Sequence, residues 1–195
     1  MFQVISQKQF HDDCNAWGDF SRKFTHEAKG FFVEESATAD SKVILFYEPK
    51  LGPIGGARLI KRSLSDFHPK AAQLIRRIFG SEEVWECNNV FFSIPDESEV
   101  HENLELFGNL CHQFYQGLYE TLNNFAAAQK INSLITVNYQ EEHADIEFFG
   151  NWPFSYELEV SSLFEDDADE YVVGVLALDS AHYAEFQNKK VSNLF

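Results

Sequence analysis

Two stretches constrain the fold of this chain more than any others: Gly55-Gly56-Ala57-Arg58-Leu59-Ile60-Lys61-Arg62 and Val84-Trp85-Glu86-Cys87-Asn88-Asn89-Val90-Phe91-Phe92. Their apolar and β-branched content reads as two strands, and the basic segment between them has helical spacing. The glycine pair opening the first lets its backbone approach a neighbour closely. Arg58 and Glu86 fall mid-strand among apolar residues, where a charge is costly unless it is paired or used. They form the candidate catalytic pair. Burial among Val84, Trp85 and Val90 raises the pKa expected of Glu86 and suits it to act as a base. The plainer alternative is a structural ion pair.

The rest of the composition narrows the function classes. A chain of 195 residues, 45% of them hydrophobic and with no Pro/Gly/Ser-rich linker, reads as one domain over 1–195. No apolar run reaches the roughly 20 residues of a membrane span. The start, Met1-Phe2-Gln3-Val4-Ile5-Ser6, lacks the basic-then-apolar pattern of a signal peptide. Cys14, Cys87 and Cys111 are odd in number and lack metal-ligand spacing. They read as reduced thiols, in keeping with a cytoplasmic protein without disulfides or structural zinc. A formal charge of −16 disfavours nucleic acid and anionic membrane as partners.

The basic residues nevertheless cluster. Arg58, Lys61, Arg62, Lys70, Arg76 and Arg77 are 6 of the 15 lysines and arginines. Such an island is either a docking patch for an anionic partner or a solvated helix face. The acidic run Glu165–Glu170 lacks the glycine and closing glutamate of a calcium loop, so no metal site is expected.

Along the chain, strands are expected at 2–5, 31–33, 42–47, 54–61, 84–92, 133–139, 152–158 and 171–178. Helices are expected from Ser6 to about Phe24, from Ser65 to Phe79, over 102–130, over 140–149 and over 180–187. In the longest helix Leu106, Leu110, Phe114, Leu118, Leu122, Phe125 and Ala126 form one apolar stripe. Hairpins first, then strands alternating with helices, imply an α/β or α+β fold. Its single mixed sheet carries helices on both faces.

These pieces, in this order and spacing, resemble the bacterial acyl-homoserine-lactone synthases, within the broader GNAT acyltransferase fold. The resemblance rests on Gly55-Gly56-Ala57-Arg58-Leu59, Trp85-Glu86 with Phe91-Phe92, Ser133-Leu134-Ile135-Thr136-Val137 and Gly150-Asn151-Trp152-Pro153, and spans roughly residues 35–185. It implies S-adenosylmethionine as amine donor, an acyl-phosphopantetheine thioester as acyl donor, and no tightly bound cofactor. It also implies that Glu86 is the base, Arg58 its partner, and Glu35, Asp40, Asn89 and Thr136 substrate contacts. Two charged positions of that family are replaced here, by Ala37 and Asn89. The replacements leave open a different amine acceptor, or a silent descendant that only binds. After Phe92 the sequence Ser93-Ile94-Pro95-Asp96-Glu97 has no glycine to cradle a coenzyme A pyrophosphate. That favours an acyl carrier protein, for which Lys61, Arg62, Lys70, Arg76 and Arg77 would be the docking residues.

Overall fold

The run Lys42–Glu48 is apolar on both of its faces, so it needs neighbours on each side and cover above and below. In the computed structural model, which describes residues 1–6, 8–10, 41–66, 69–94, 103–160 and 171–178, it obtains both. It is strand β2 of a sheet that has seven strands among the described residues. The strands are β1 (Phe2–Ser6), β2, β3 (Gly52–Ser63), β4 (Glu83–Phe92), β5 (Ser133–Tyr139), β6 (Phe154–Val160) and β7 (Tyr171–Ala177), in the order β1-β2-β3-β4-β5-β7-β6. Only the β4–β5 pair among them is parallel, which makes the sheet mixed, as expected.

Helix α1 (Pro69–Phe79) follows a 3-10 turn over Leu64–Asp66. Its Ile75 packs with Leu64, Val84, Ile135 and Val175 on one sheet face. Helix α2 (Leu104–Gln129) covers the other face, where Phe114, Tyr115, Leu118 and Leu122 join Ile44, Ala57, Leu59, Trp85, Cys87 and Leu134. The Asn103 side chain caps α2 by accepting from the Leu106 N–H at 3.0 Å. At the far end Lys130 closes it in the left-handed region at φ 58°. Leu106, expected in the buried stripe, is 42% exposed: it lies in the first turn, beyond the edge of the sheet contact. The short helix expected over 140–149 is split into α3 (Gln140–Asp145) and a π-helical turn over Ile146–Gly150.

Ser6 caps the first helix as expected, its hydroxyl accepting from the Gln9 N–H at 3.1 Å. The remainder of that helix, the strand at 31–33, the acidic run and the last helix lie outside the described residues. Among those described, no helix is long and apolar enough to cross a membrane.

Gly55, the first of the glycine pair, does what its position requires. A Cβ on Gly55 would stand 2.7 Å from the ring of Phe114 and 3.1 Å from the Phe91 carbonyl, so β3 passes under α2 only as bare backbone. We expect Gly55→Ala to destabilise the chain by about 1–3 kcal/mol through overpacking. Urea unfolding should show most of that loss recovered when Phe114→Leu is added, although Phe114→Leu alone is destabilising.

Candidate active site

Strand register decides which side chains meet. Residues directly opposite in an antiparallel pair share a face, and β3 faces β4 with Arg58 opposite Asn88, Ile60 opposite Glu86 and Arg62 opposite Val84. Arg58, Arg62, Glu86 and Asn88 therefore emerge together on the α1 face. Between Gly56 and Arg58 the register shifts, because Asn89 and Val90 on β4 face Ala57 alone on β3. This bulge turns the end of β4, a device common beside active sites.

The four side chains form one chain of contacts. The Arg62 Nε–H donates to Glu86 Oε2 at 3.0 Å. The Asn88 amide donates to Glu86 Oε1. The Arg58 Nε–H donates to Asn88 Oδ1 at 3.3 Å. Glu86 has no solvent exposure and Arg58 only 5%. Burial pushes the Glu86 carboxyl above its ordinary range, against the opposing pull of Arg62, Asn88 and Arg58. Burial also lowers the Arg58 guanidinium to about 10, although Glu86 pulls it upward. A carboxylate accepts about four hydrogen bonds, so these contacts leave each Glu86 oxygen with further accepting capacity.

The expected pair is thus brought together, linked through Asn88 rather than by direct contact. Arg62, expected at a docking surface, is instead the direct ionic partner of Glu86, with a side chain only 14% exposed. Its place four residues after Arg58 on one strand, an even offset, turns it inward. Asn88 went unnoticed for the same reason: it is two residues from Glu86, so alternation alone puts both on one face. Asn89 lies at the bulge, and its side chain is outside the described set. Glu35 and Asp40 also lie outside the described residues.

Thr136 is not brought to this group. It sits beside Cys87 in the parallel register, while Glu86 sits beside Ile135, so Thr136 faces α2. Its hydroxyl is fully buried without a hydrogen-bond partner, as are both polar atoms of Asn138 on the same face. Buried, unpaired polar groups cost about 1–3 kcal/mol each, and they mark a place where a polar ligand atom or water fits. Asn138 is the residue that pattern reading passed over; a polar residue inside the strand Ser133–Tyr139, two after Thr136, was its available signal.

The basic island divides. Lys61 lies on the α2 side, bonded to Glu83 Oε2 at 2.7 Å. Arg76 pairs with Glu82 at 2.7 Å on the surface, and Arg77 is exposed beside it. Lys70 is in the first turn of α1, and its side chain is outside the described set. An open cavity of about 490 Å³ borders Lys61, Glu83, Trp85 and Gln129. It does not include Glu86, so the ionic cluster rather than this cavity is the candidate centre.

The raised Glu86 pKa carries a signed stability effect. The folded chain holds the proton above the unfolded carboxyl pKa of about 4.3. This contribution is therefore complete below that pH and is lost as pH rises toward the folded value. Glu86→Gln should remove that component. The stability difference between wild type and variant, from urea unfolding at several pH values, should shift against wild type as pH rises from about 4.3. A pH-independent difference would refute the raised pKa.

No protein-family model matches the sequence, and no curated protein matches it either. Solved structures do. The AHL synthase LasI superposes with a TM-score of 0.56 at 10% identity, over 92% of this chain and 90% of LasI. TofI in its apo form gives 0.53 at 12% identity, over 96% of each chain. TofI in a ternary complex with an inhibitor and MTA gives 0.51 at 14% identity, again over 96% of each. With the mixed sheet, the flanking helices and the strand order above, these superpositions show that the chain has the GNAT-like α+β fold seen in the AHL synthase LasI.

Proposed function

We propose that the chain is an acyltransferase that moves an acyl group from a phosphopantetheine thioester to an amine, with Glu86 as the general base. The observation that carries this reading is the fully buried Glu86 carboxyl, raised in pKa and held by Arg62 and Asn88 beside the β4 bulge. An amine arrives as an ammonium ion and attacks only after losing a proton. Glu86 takes that proton, the amine nitrogen bonds to the thioester carbonyl carbon, and the tetrahedral species collapses by expelling the thiolate. The extra proton left on nitrogen by the attack passes to the thiolate, so acyl amide and free thiol are the products. Arg58 steadies Asn88, and through it the Glu86 oxygen that Asn88 holds.

The amine donor in this reading is S-adenosylmethionine; the carboxylate of its acylated aminobutyryl arm then attacks the γ carbon, the C–S bond breaks, and a lactone and MTA are released. Support comes from the likeness to the synthase LasI and from TofI, a fold relative that binds MTA. Glu35, Asp40 and Asn89 are proposed to contact the donor. Thr136 and Asn138, whose polar atoms lack partners, are proposed to meet polar atoms of the acyl arm from the α2 side. Arg76 and Arg77, with Lys70, are proposed to dock an acyl carrier protein in the cytoplasm; Lys61, on the other face of the sheet, does not join them. A different amine acceptor is the second reading, favoured by Ala37 and Asn89 at positions charged in the resembling synthases.

Incubating the chain with acyl-carrier and acyl-CoA thioesters and candidate amines, read by mass spectrometry, tests both readings. Acylated amine should form. Glu86→Gln should lower its rate per folded molecule by about a hundredfold or more, the usual contribution of positioned proton transfer. A near-wild-type rate would leave Glu86 a structural group.

Reversing charge at both Arg76 and Arg77 should raise the KM for a carrier-protein thioester by about tenfold while leaving a small thioester unaffected. The difference should fade above roughly 0.5 M salt, where screening extends only a few ångströms. Equal effects on both substrates would remove the docking role.

A further inference from the structure

Away from the Glu86 cluster, on the α2 face of the sheet, three side chains from separate elements converge. His143 of α3, Glu147 of the π-helical turn and Glu157 of β6 place one ligand atom each within 4.8 Å of one another. We propose that they form a binding site for a divalent transition ion of the zinc, cobalt or manganese type. Neither the acyl-transfer reading nor the basic island accounts for this cluster.

The carboxylates alone would be unremarkable on so acidic a chain. The imidazole is different. The side chain of His143 is 7% exposed, and its ring lies 4.8 Å from that of Phe154, so packing fixes its direction. It aims Nε2 at Glu157 Oε1, 2.8 Å away. Its other nitrogen, Nδ1, is buried with no hydrogen-bond partner. A carboxylate only accepts, so in the metal-free chain the Glu157 contact keeps the ring proton on Nε2. A cation can replace it there, with Nδ1 carrying the proton instead.

The spacing suits such an ion. Metal–ligand bonds of about 2.0–2.2 Å put tetrahedral ligand atoms about 3.3–3.5 Å apart, within the span observed. His143 and Glu147 are four apart on one continuous helical segment and share a face, and Glu157 reaches them from the strand beneath. One nitrogen with two carboxylates favours borderline transition ions over calcium or magnesium, which prefer all-oxygen shells. Charge points the same way. The chain has no lysine or arginine between Lys130 and Lys189, so no neighbour in sequence offers these glutamates a basic partner. Both glutamates are exposed, which leaves an approach from solvent. A bound ion would tie α3 and its π turn to the β6 edge of the sheet.

The test uses the full chain, untagged and stripped with chelator. Zinc, cobalt and manganese are titrated separately by calorimetry, with melting and the cobalt visible spectrum as further readouts. One ion per chain is expected. At hundredfold excess over Kd the melting temperature should rise by roughly 5 °C or more. His143 is packed against Phe154 and its loss could unfold the region, so the decisive variants are the exposed Glu147→Gln and Glu157→Gln. Each should weaken binding about tenfold or more and change the cobalt spectrum while keeping the metal-free melting temperature. Absence of binding, binding of calcium or magnesium alone, or one-to-one binding that both variants leave intact would overturn the proposal.

Discussion

The placement of one carboxyl group, that of Glu86, beneath the surface of the mixed sheet governs much of what surrounds it. A buried ionisable group loses far more hydration than a neutral one. The sheet responds with Arg62 on one oxygen, Asn88 on the other, and Arg58 behind Asn88. All three contacts depend on register. A slip of one residue between β3 and β4 would send both arginines to the opposite face and leave Glu86 among apolar neighbours. Apolar side chains of similar volume commonly stabilise a core as well as a buried ion pair does. The cluster is therefore an expensive way to build a strand, which is why the proposed function assigns it a proton-handling role.

The two faces of the sheet differ in kind. The α1 face carries the ionic group, whereas the α2 face is mostly aliphatic and aromatic, interrupted by Thr136, Asn138 and His143. In the proposed reaction the two substrates make different demands: an amine needs charge and a base, and an acyl arm needs an apolar lining with a few polar contacts. The sheet separates those demands by strand alternation alone, since Glu86 and Cys87 are adjacent in sequence and face opposite ways.

Much of the fold was legible because its signals are local. The apolar runs of β2, β4 and β5 are bounded by glycine, proline or polar residues, and the long helix has an unbroken periodicity over several turns. The catalytic candidates were legible in part. Arg58 and Glu86 stand out as charges inside strands, but their connection through Asn88 depends on pairing between segments thirty residues apart, which no local pattern records. Arg62 looked like part of a basic island because sequence proximity groups it with Lys61, whereas the strand sends the two to opposite sides. Thr136 came from a family likeness, which carries no information about facing direction in this chain. The convergence of His143, Glu147 and Glu157 was invisible for a related reason: the π turn and the bend into β6 supply it, and neither is periodic.

The β4–β5 contact bears on how the chain assembles. Three register pairs, Glu86 with Ile135, Cys87 with Thr136 and Asn88 with Val137, join them. To their left stands a meander of β1 through β4 in antiparallel contact, and to their right β5 pairs with β7, which pairs with β6. Each leaf can form from pairings within itself, whereas the seam waits for α2 to dock and for a long loop to close, an entropically slow event. By loop-closure cost alone the parallel seam is the least local pairing of the two leaves it joins, and Glu86 sits on it.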